Sequence, residues 1–165
     1  MLHTISATFE DLENKHVADL GCGCGVLSIG SVMMGAGAVT GIDLDSDALA
    51  LFSQNIEGEL IVSVLIKRAM CWLTCWFYQI ILDFDIDNID IINADISNIG
   101  DEWKDKFDTV IMNPPFGTKH NKGLDMVFLQ RAILMARKAV YSLHKTSTRE
   151  HILKKAEGWG VRPQG

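Results

Sequence analysis

Short apolar runs recur along the chain, separated by longer segments in which apolar and polar residues mix. The short runs indicate buried strands at 16–20, 39–43, 89–93, 107–112 and 139–142. The segments between them indicate helices at 26–34, 47–57, 123–138 and 147–156. Because strands alternate with helices, the pattern predicts an α/β fold with a mostly parallel sheet and helices on both faces.

Two local signals refine this organisation. Ser46 is the residue that we expect to cap the helix beginning at Asp47, since a hydroxyl in front of a helix accepts a hydrogen bond from its first turn. Asp47 then lies in that first turn, where the helix dipole favours a carboxylate. With 165 residues, the chain has the size of one ordinary domain, and we predict a single domain over 1–165.

Residues 61–82 form an almost unbroken apolar stretch where a short connection between helix and strand is expected. Lys67 and Arg68 interrupt the stretch, and the remainder, 69–82, is too short to cross a bilayer, so we expect no membrane span. We interpret 61–86 as an atypical apolar insertion that either packs on an edge of the sheet or spoils the fold.

A glycine-rich loop with the sequence DLGCGCG, residues 19–25, follows the first strand and opens the first helix. Asp43 ends the second strand, where a carboxylate can accept both ribose hydroxyls of a nucleoside. The loop fits a nicotinamide cofactor nearly as well as S-adenosylmethionine, but the G-x-G-x-G spacing after an aspartate favours the latter. Asp95 ends the third strand and is either an acceptor for the adenine amino group or a cap of the following turn.

The tetrad Asn113-Pro114-Pro115-Phe116 follows the fourth strand, which puts it at the carboxyl edge of the sheet beside the cofactor. An amino group conjugated to a ring is a poor nucleophile. Hydrogen bonds from its two N–H groups to the Asn113 side-chain oxygen and the Pro114 carbonyl would draw its lone pair towards tetrahedral geometry. Phe116 offers a face on which a base can stack. The tetrad therefore predicts methyl transfer to a planar amide or an adenine amine without a titrating base, against the alternative of a plain Asn-Pro turn.

Charge is distributed unevenly along the chain, whose net charge is -6. Residues 1–116 carry 5 basic and 18 acidic side chains, whereas residues 117–165 carry 10 basic and 3 acidic ones. The basic C-terminal third can present a face for phosphates or can simply be a solvated helix. The four cysteines match neither a disulfide framework nor a zinc knuckle, so we expect reduced thiols in a cytosolic or nuclear compartment and no metal ligands.

These motifs resemble the S-adenosylmethionine-dependent methyltransferases with an NPP[FY] motif. The runs ENKHVADLGCGCGVLSIG, FDTVIMNPPFGTKHNKGLDM and AVYSLHKTSTREH are most similar to the methyltransferase-like 5 family, N6-adenosine methyltransferases of small-subunit (18S) ribosomal RNA. The resemblance implies a Rossmann-like fold, a catalytic role for the tetrad and a nuclear, nucleolar and cytoplasmic location. It also implies a heterodimer with a zinc-binding, Trm112-like activator at the edge of the third strand. The cofactor-binding residues are then Asp19, Gly21, Gly23, Cys24, Val26, Asp43, Asp95 and Ile96.

The chain also departs from that family. An N-terminal segment that covers the cofactor and two closing strands at the C-terminal edge are expected to be missing, and 61–86 has no family counterpart. Three hypotheses follow from the sequence. The first is an rRNA adenine N6-methyltransferase, the second is a methyltransferase acting on a glutamine amide of a translation release factor, and the third is an inactive fragment of the first.

Overall fold

The computed structural model describes residues 1–57, 86–114 and 123–163. Within these ranges, five parallel strands form one sheet in the order β3-β2-β1-β4-β5. The strands are β1 (His16–Leu20), β2 (Ala38–Asp43), β3 (Ile89–Asn93), β4 (Phe107–Met112) and β5 (Ala136–Ser142). Because all five run in the same direction, their carboxyl ends lie at one edge of the sheet. This confirms the predicted α/β fold.

The helices of the described residues lie on both faces of this sheet, as the alternating pattern predicted. They are α1 (Leu2–Thr4), which continues into a π-helical turn (Ile5–Phe9), α2 (Val26–Met33), α3 (Ser46–Ile56), α4 (Leu124–Met135) and α5 (Arg149–Gly158). Short 3-10 turns occupy Ile96–Asn98, Asp101–Trp103 and Thr146–Thr148.

The core is divided between the two faces because successive side chains of a strand point to opposite sides. On one face, Ala18, Val110 and Met112 pack against α4 and against Ile152 of α5. On the other face, Val17, Val39 and Ile111 pack against the N-terminal segment, with α2 beside them. β4 is buried at five of its six positions, as its continuous apolar sequence predicted.

The predicted cap of α3 is wrong by one residue. Asp45, in an extended conformation, is the N-cap, and its carboxylate accepts hydrogen bonds from the N–H groups of Asp47 (3.0 Å) and Ala48 (3.2 Å). Ser46 already belongs to the helix. Both residue types are good caps, so propensity alone could not separate them. Asp47 does lie in the first turn, as predicted.

The predicted boundary between α4 and β5 is also wrong. The helix ends at Met135 and not at 138, and the strand begins at Ala136 and not at 139. Ala136 pairs with Phe107 of β4, and this pairing takes 136–138 out of the helix. Similarly, the last helix begins at Arg149 after a 3-10 turn, and not at Ser147.

Other predictions fall outside the described residues. These include most of the apolar insertion, residues 61–85, together with Cys71 and Cys75. Within the described ranges, no helix has both the length and the apolar character that a membrane crossing requires.

Candidate cofactor and acceptor site

The glycine loop between β1 and α2 has a backbone that only glycine adopts readily. Gly21, Gly23 and Gly25 have φ angles of 72°, 53° and 85°, in the left-handed region. A Cβ at Gly25 would overlap the ring of Phe52, and one at Gly21 would come within 2.9 Å of the Phe128 ring. These two glycines therefore allow α3 and α4 to pack closely beneath the loop.

Helix α3 fixes the loop from one side. The Asn55 side-chain amide donates to the Cys24 carbonyl at 2.9 Å. Phe52 is fully buried and also lies against Gly41, where an added Cβ would be 2.6 Å from the ring. No motif in the sequence marks Phe52 or Asn55. The only signal for them was their position on the apolar and adjacent faces of a predicted helix.

Most of the loop's N–H groups are already used within the protein. Those of Gly21 and Cys22 donate to the Ile42 carbonyl at 2.8 and 3.2 Å, and that of Gly25 donates to the Cys22 carbonyl at 2.9 Å. The N–H of Gly23 donates to the Asp43 carboxylate at 2.8 Å. The loop thus has a rigid preformed shape, and few of its N–H groups remain to bind an anion.

Asp43 stands directly beside the loop, as the sequence predicted. One carboxylate oxygen accepts from Gly23, and the other accepts from the N–H of Asp45 at 2.9 Å. A carboxylate has about four acceptor positions, so each oxygen keeps one for a ligand. The Asn93 amide donates to the carbonyls of Asp43 and Leu44 at 3.2 and 3.0 Å, which fixes the turn after β2.

Asp19 lies beneath the loop and is 1% exposed. One carboxylate oxygen accepts from the Ser28 hydroxyl at 2.7 Å, and the Ser28 N–H also donates to this carboxylate. The other oxygen is buried and has no hydrogen-bond partner among the described residues. Burial raises the pKa of Asp19 to about 7, although the bonds from Ser28 oppose the shift. Asp19 therefore occupies the N-terminal end of α2 as an internal cap.

Open space adjoins the loop at Gly23, where a Cβ would have no neighbour within 4 Å. Two large apolar side chains that follow the loop and Asp43 in the sequence are exposed, Val26 at 68% and Leu44 at 66%. Cys24 is half-buried, whereas Cys22 is buried and its pKa is raised by desolvation, so its thiol stays protonated. The left-handed loop, the unpartnered oxygen of Asp19 and the exposed apolar pair fit an organic cofactor with a positive charge.

Asp95 and Ile96 follow β3 and are the more distant of the predicted cofactor residues. The Asp95 carboxylate caps the turn Ile96–Asn98, accepting from the Ser97 N–H at 2.8 Å and hydroxyl at 2.6 Å, which lowers its pKa. Ile96 is 3% exposed. The capping alternative for Asp95 is thus realised, and the buried side chain of Ile96 is not available to a ligand.

Asn113 and Pro114 lie at the same edge, one strand from the loop. Leu20 of β1 pairs with Met112 of β4, so Gly21 and Asn113 are the next residues on neighbouring strands. Asn113 is exposed and Pro114 is buried. Pro115 and Phe116 lie outside the described residues. The described half of the tetrad is therefore beside the glycine loop, in the crevice between β1 and β4 where the strand order reverses.

The family model of ribosomal protein L11 methyltransferase (PrmA) matches residues 2–71 of this chain. The chain is 52% identical over 162 residues to the rRNA N(6)-adenosine-methyltransferase METTL5 of Danio rerio, covering 98% of this chain and 66% of the relative. It is 45% identical over 163 residues to the corresponding Drosophila melanogaster protein, covering 98% of this chain and 65% of the relative.

Solved structures agree with this assignment. The crystal structure of a Pyrococcus horikoshii protein described as an RNA methyltransferase superposes with a TM-score of 0.69 at 28% identity, covering 96% of this chain and 63% of that one. The chain spans about two thirds of the length of the relatives that it matches. On its sequence, its sheet and its glycine loop, the chain belongs to the METTL5 family of methyltransferases.

Proposed function

We propose that this chain carries the methyl-transfer site of an enzyme that uses S-adenosylmethionine to methylate N6 of an adenosine in small-subunit (18S) ribosomal RNA. The observation that carries the proposal is the position of Asn113 and Pro114, next to Gly21 across the β1–β4 pairing. An acceptor amine bound by Asn113 and a cofactor bound at the loop would then be neighbours.

The choice of cofactor is supported by the charge and hydrogen bonding of the loop. A dinucleotide needs free N–H groups at a helix N-terminus for its pyrophosphate. Here the loop's N–H groups are largely used internally, and Asp19 occupies the N-terminal end of α2. An anion would face the Asp43 carboxylate there, whereas the sulfonium and ammonium groups of S-adenosylmethionine would be attracted to it. Asp43 is left to accept the ribose hydroxyls.

The acceptor site works by positioning. The Asn113 side-chain oxygen and the Pro114 carbonyl accept the two N–H bonds of the exocyclic amine, so that its lone pair turns out of conjugation and towards the methyl donor. S-adenosylmethionine, when bound, supplies an electrophilic methyl group. Asn113 binds the acceptor and not the cofactor, so the two binding events are separable by mutation.

The relatives support adenosine over a glutamine amide as the acceptor. The PrmA model matches only residues 2–71, which include the glycine loop and Asp43 but not the tetrad. The METTL5 proteins, by contrast, align over 98% of the chain, a span that extends well beyond residue 71. The glutamine N5-methyltransferase reading has no comparable support.

A Trm112-like activator is the second part of this proposal. β3 is an edge strand within the described sheet, and three of its residues are half-buried isoleucines, Ile89, Ile91 and Ile92. An edge strand with apolar residues is prone to aggregate unless another chain covers it. A zinc-binding partner that pairs with β3 would remove that exposure, and coexpression with and without the activator tests the solubility that we expect to gain.

Methylation assays with labelled cofactor test the proposed function. The chain, with the activator, is given small-subunit RNA or release factor side by side, and we expect label in RNA only. Asn113→Ala should abolish transfer while leaving cofactor affinity within about twofold. Asp43→Ala should weaken cofactor binding first, because it removes the ribose acceptor and the partner of Gly23. Label in release factor alone, or loss of cofactor binding in Asn113→Ala, would overturn the assignment.

A further inference from the structure

A histidine lies beside the acceptor site and has no role in the chemistry described above. The pairing of β4 with β5 continues one residue past the strands, because the Leu143 N–H donates to the Met112 carbonyl at 3.1 Å. His144 therefore comes alongside the Asn113–Pro114 step, about one strand spacing away.

His144 is part of a small polar cluster with Ser142 and Asp125. Its Nε2 is 2.5 Å from the Ser142 hydroxyl oxygen, so both side chains point to the same side of β5. Asp125, in the first turn of α4, is near enough for its charge to act on the ring. All three residues are partly buried.

This cluster is on the side of the site that faces the glycine loop. Phe128 follows Asp125 by one helical turn on the same face of α4, and its ring packs against Gly21. The first turn of α4 thus stands over the crevice between β1 and β4. Ser142 and His144 lie at the carboxyl end of β5, next to the Asn113 end of β4, at the same edge of the sheet.

Burial lowers the pKa of His144, and the charge of Asp125 only partly opposes this shift, so the ring is uncharged at pH 7 and above. In an uncharged imidazole one nitrogen donates and the other accepts. When the Ser142 hydroxyl donates to Nε2, the proton of the ring is on Nδ1. Nδ1–H is then a donor whose orientation is fixed by the bond at Nε2.

A donor aimed at the ring of the base would add to what the acceptor oxygens recognise. The Asn113 oxygen and the Pro114 carbonyl can bind any planar amine, including an amide. Adenine differs in having ring nitrogens that accept hydrogen bonds on either side of the amine, N1 and N7. We propose that His144 is a specificity-determining residue that donates a hydrogen bond to one of these ring nitrogens of the acceptor adenine. The proposal rests on the proposed function.

The experiment compares three short single-stranded RNAs that are identical except at one acceptor position, which is adenosine, 1-deazaadenosine or 7-deazaadenosine. The wild-type chain and three variants are measured for RNA affinity in the presence of cofactor, and for cofactor affinity separately. His144→Ala removes the donor. His144→Asn keeps one, because the Asn side-chain amide places an N–H near the position of Nδ1. His151→Ala changes an exposed histidine on α5 and is the matched control.

The wild-type chain should bind the adenosine RNA about 3- to 10-fold more tightly than one of the two deaza RNAs, the range that a single net hydrogen bond provides. His144→Ala should bind all three RNAs equally and keep its cofactor affinity, since a merely structural role would not remove discrimination between bases. His144→Asn should restore part of the preference, and His151→Ala should behave as wild type.

The proposal is overturned if His144→Ala still discriminates, if the wild-type chain treats the three RNAs alike, or if His144→Ala loses cofactor affinity as well. Methylation of the adenosine RNA by the wild-type chain separates these results from a failure of the proposed function. A wild-type chain that neither binds nor methylates any of the RNAs would overturn both.

Discussion

Asp19→Asn should change how stability depends on pH. The carboxylate is buried with one oxygen that has no hydrogen-bond partner among the described residues, and its pKa is about 7 in the folded protein against an ordinary value of 3.8. Because the folded-state pKa is the higher one, the folded protein binds the proton more tightly between these values. The stability contributed by protonated Asp19 is therefore fully present below about pH 3.8 and is lost as the pH rises through 7.

The size of the effect follows from the shift. Each pKa unit corresponds to about 1.4 kcal/mol, so the free energy of unfolding should fall by roughly 2.5 kcal/mol between pH 5 and pH 8 through this group alone. Asn is nearly isosteric and cannot ionise, and its side-chain oxygen can still accept from Ser28. The difference in unfolding free energy between Asp19→Asn and wild type should therefore move by about 2.5 kcal/mol in favour of the variant over this range.

Urea unfolding at a series of pH values measures this difference. With a urea dependence of about 1–3 kcal/mol per molar, the midpoints should move relative to each other by about 0.8–2.5 M. Asp108→Asn is the control, because backbone donation from His16 lowers the pKa of Asp108 and its contribution is constant above pH 5. If the unfolding free energies of Asp19→Asn and wild type changed in parallel with pH, the pKa of Asp19 would not lie near 7 and the reasoning would be refuted.

Two further variants test the loop and the helix cap. Gly25→Ala should destabilise the fold by about 3 kcal/mol in urea unfolding, because it combines left-handed strain with overlap on buried Phe52. Gly23→Ala should lower the free energy of unfolding by only about 1 kcal/mol but abolish the thermal shift given by S-adenosylmethionine. Equal losses of stability would contradict the assignment of Gly23 to the ligand side. Asp45→Ala should cost about 1 kcal/mol and Ser46→Ala much less, and the reverse order in urea unfolding would return the cap of α3 to Ser46.

Local signals in the sequence were sufficient for the strands and for most of the site. Apolar runs mark β1, β2 and β4 because these strands are buried along most of their length, and they mark β3 because three of its five residues are half-buried isoleucines. A parallel sheet brings the carboxyl ends of these strands together whatever the details of packing. That is why the sequence alone places the glycine loop, Asp43 and Asn113 at one edge of the sheet. The glycines signalled the left-handed turn because few other residues adopt it.

Tertiary structure decided what depends on pairing and burial between distant residues. Pairing with β4 assigns Ala136 to a strand, although 123–138 reads as a continuous helix. Desolvation beneath the loop turns Asp19 into a group that titrates near pH 7, and the carbonyl of Ile42 takes the N–H groups that the sequence left open for a ligand. The placement of His144 next to the Asn113–Pro114 step follows from the pairing of β5 with β4. Each of these depends on contacts between distant segments, which periodicity and propensity along one segment do not contain.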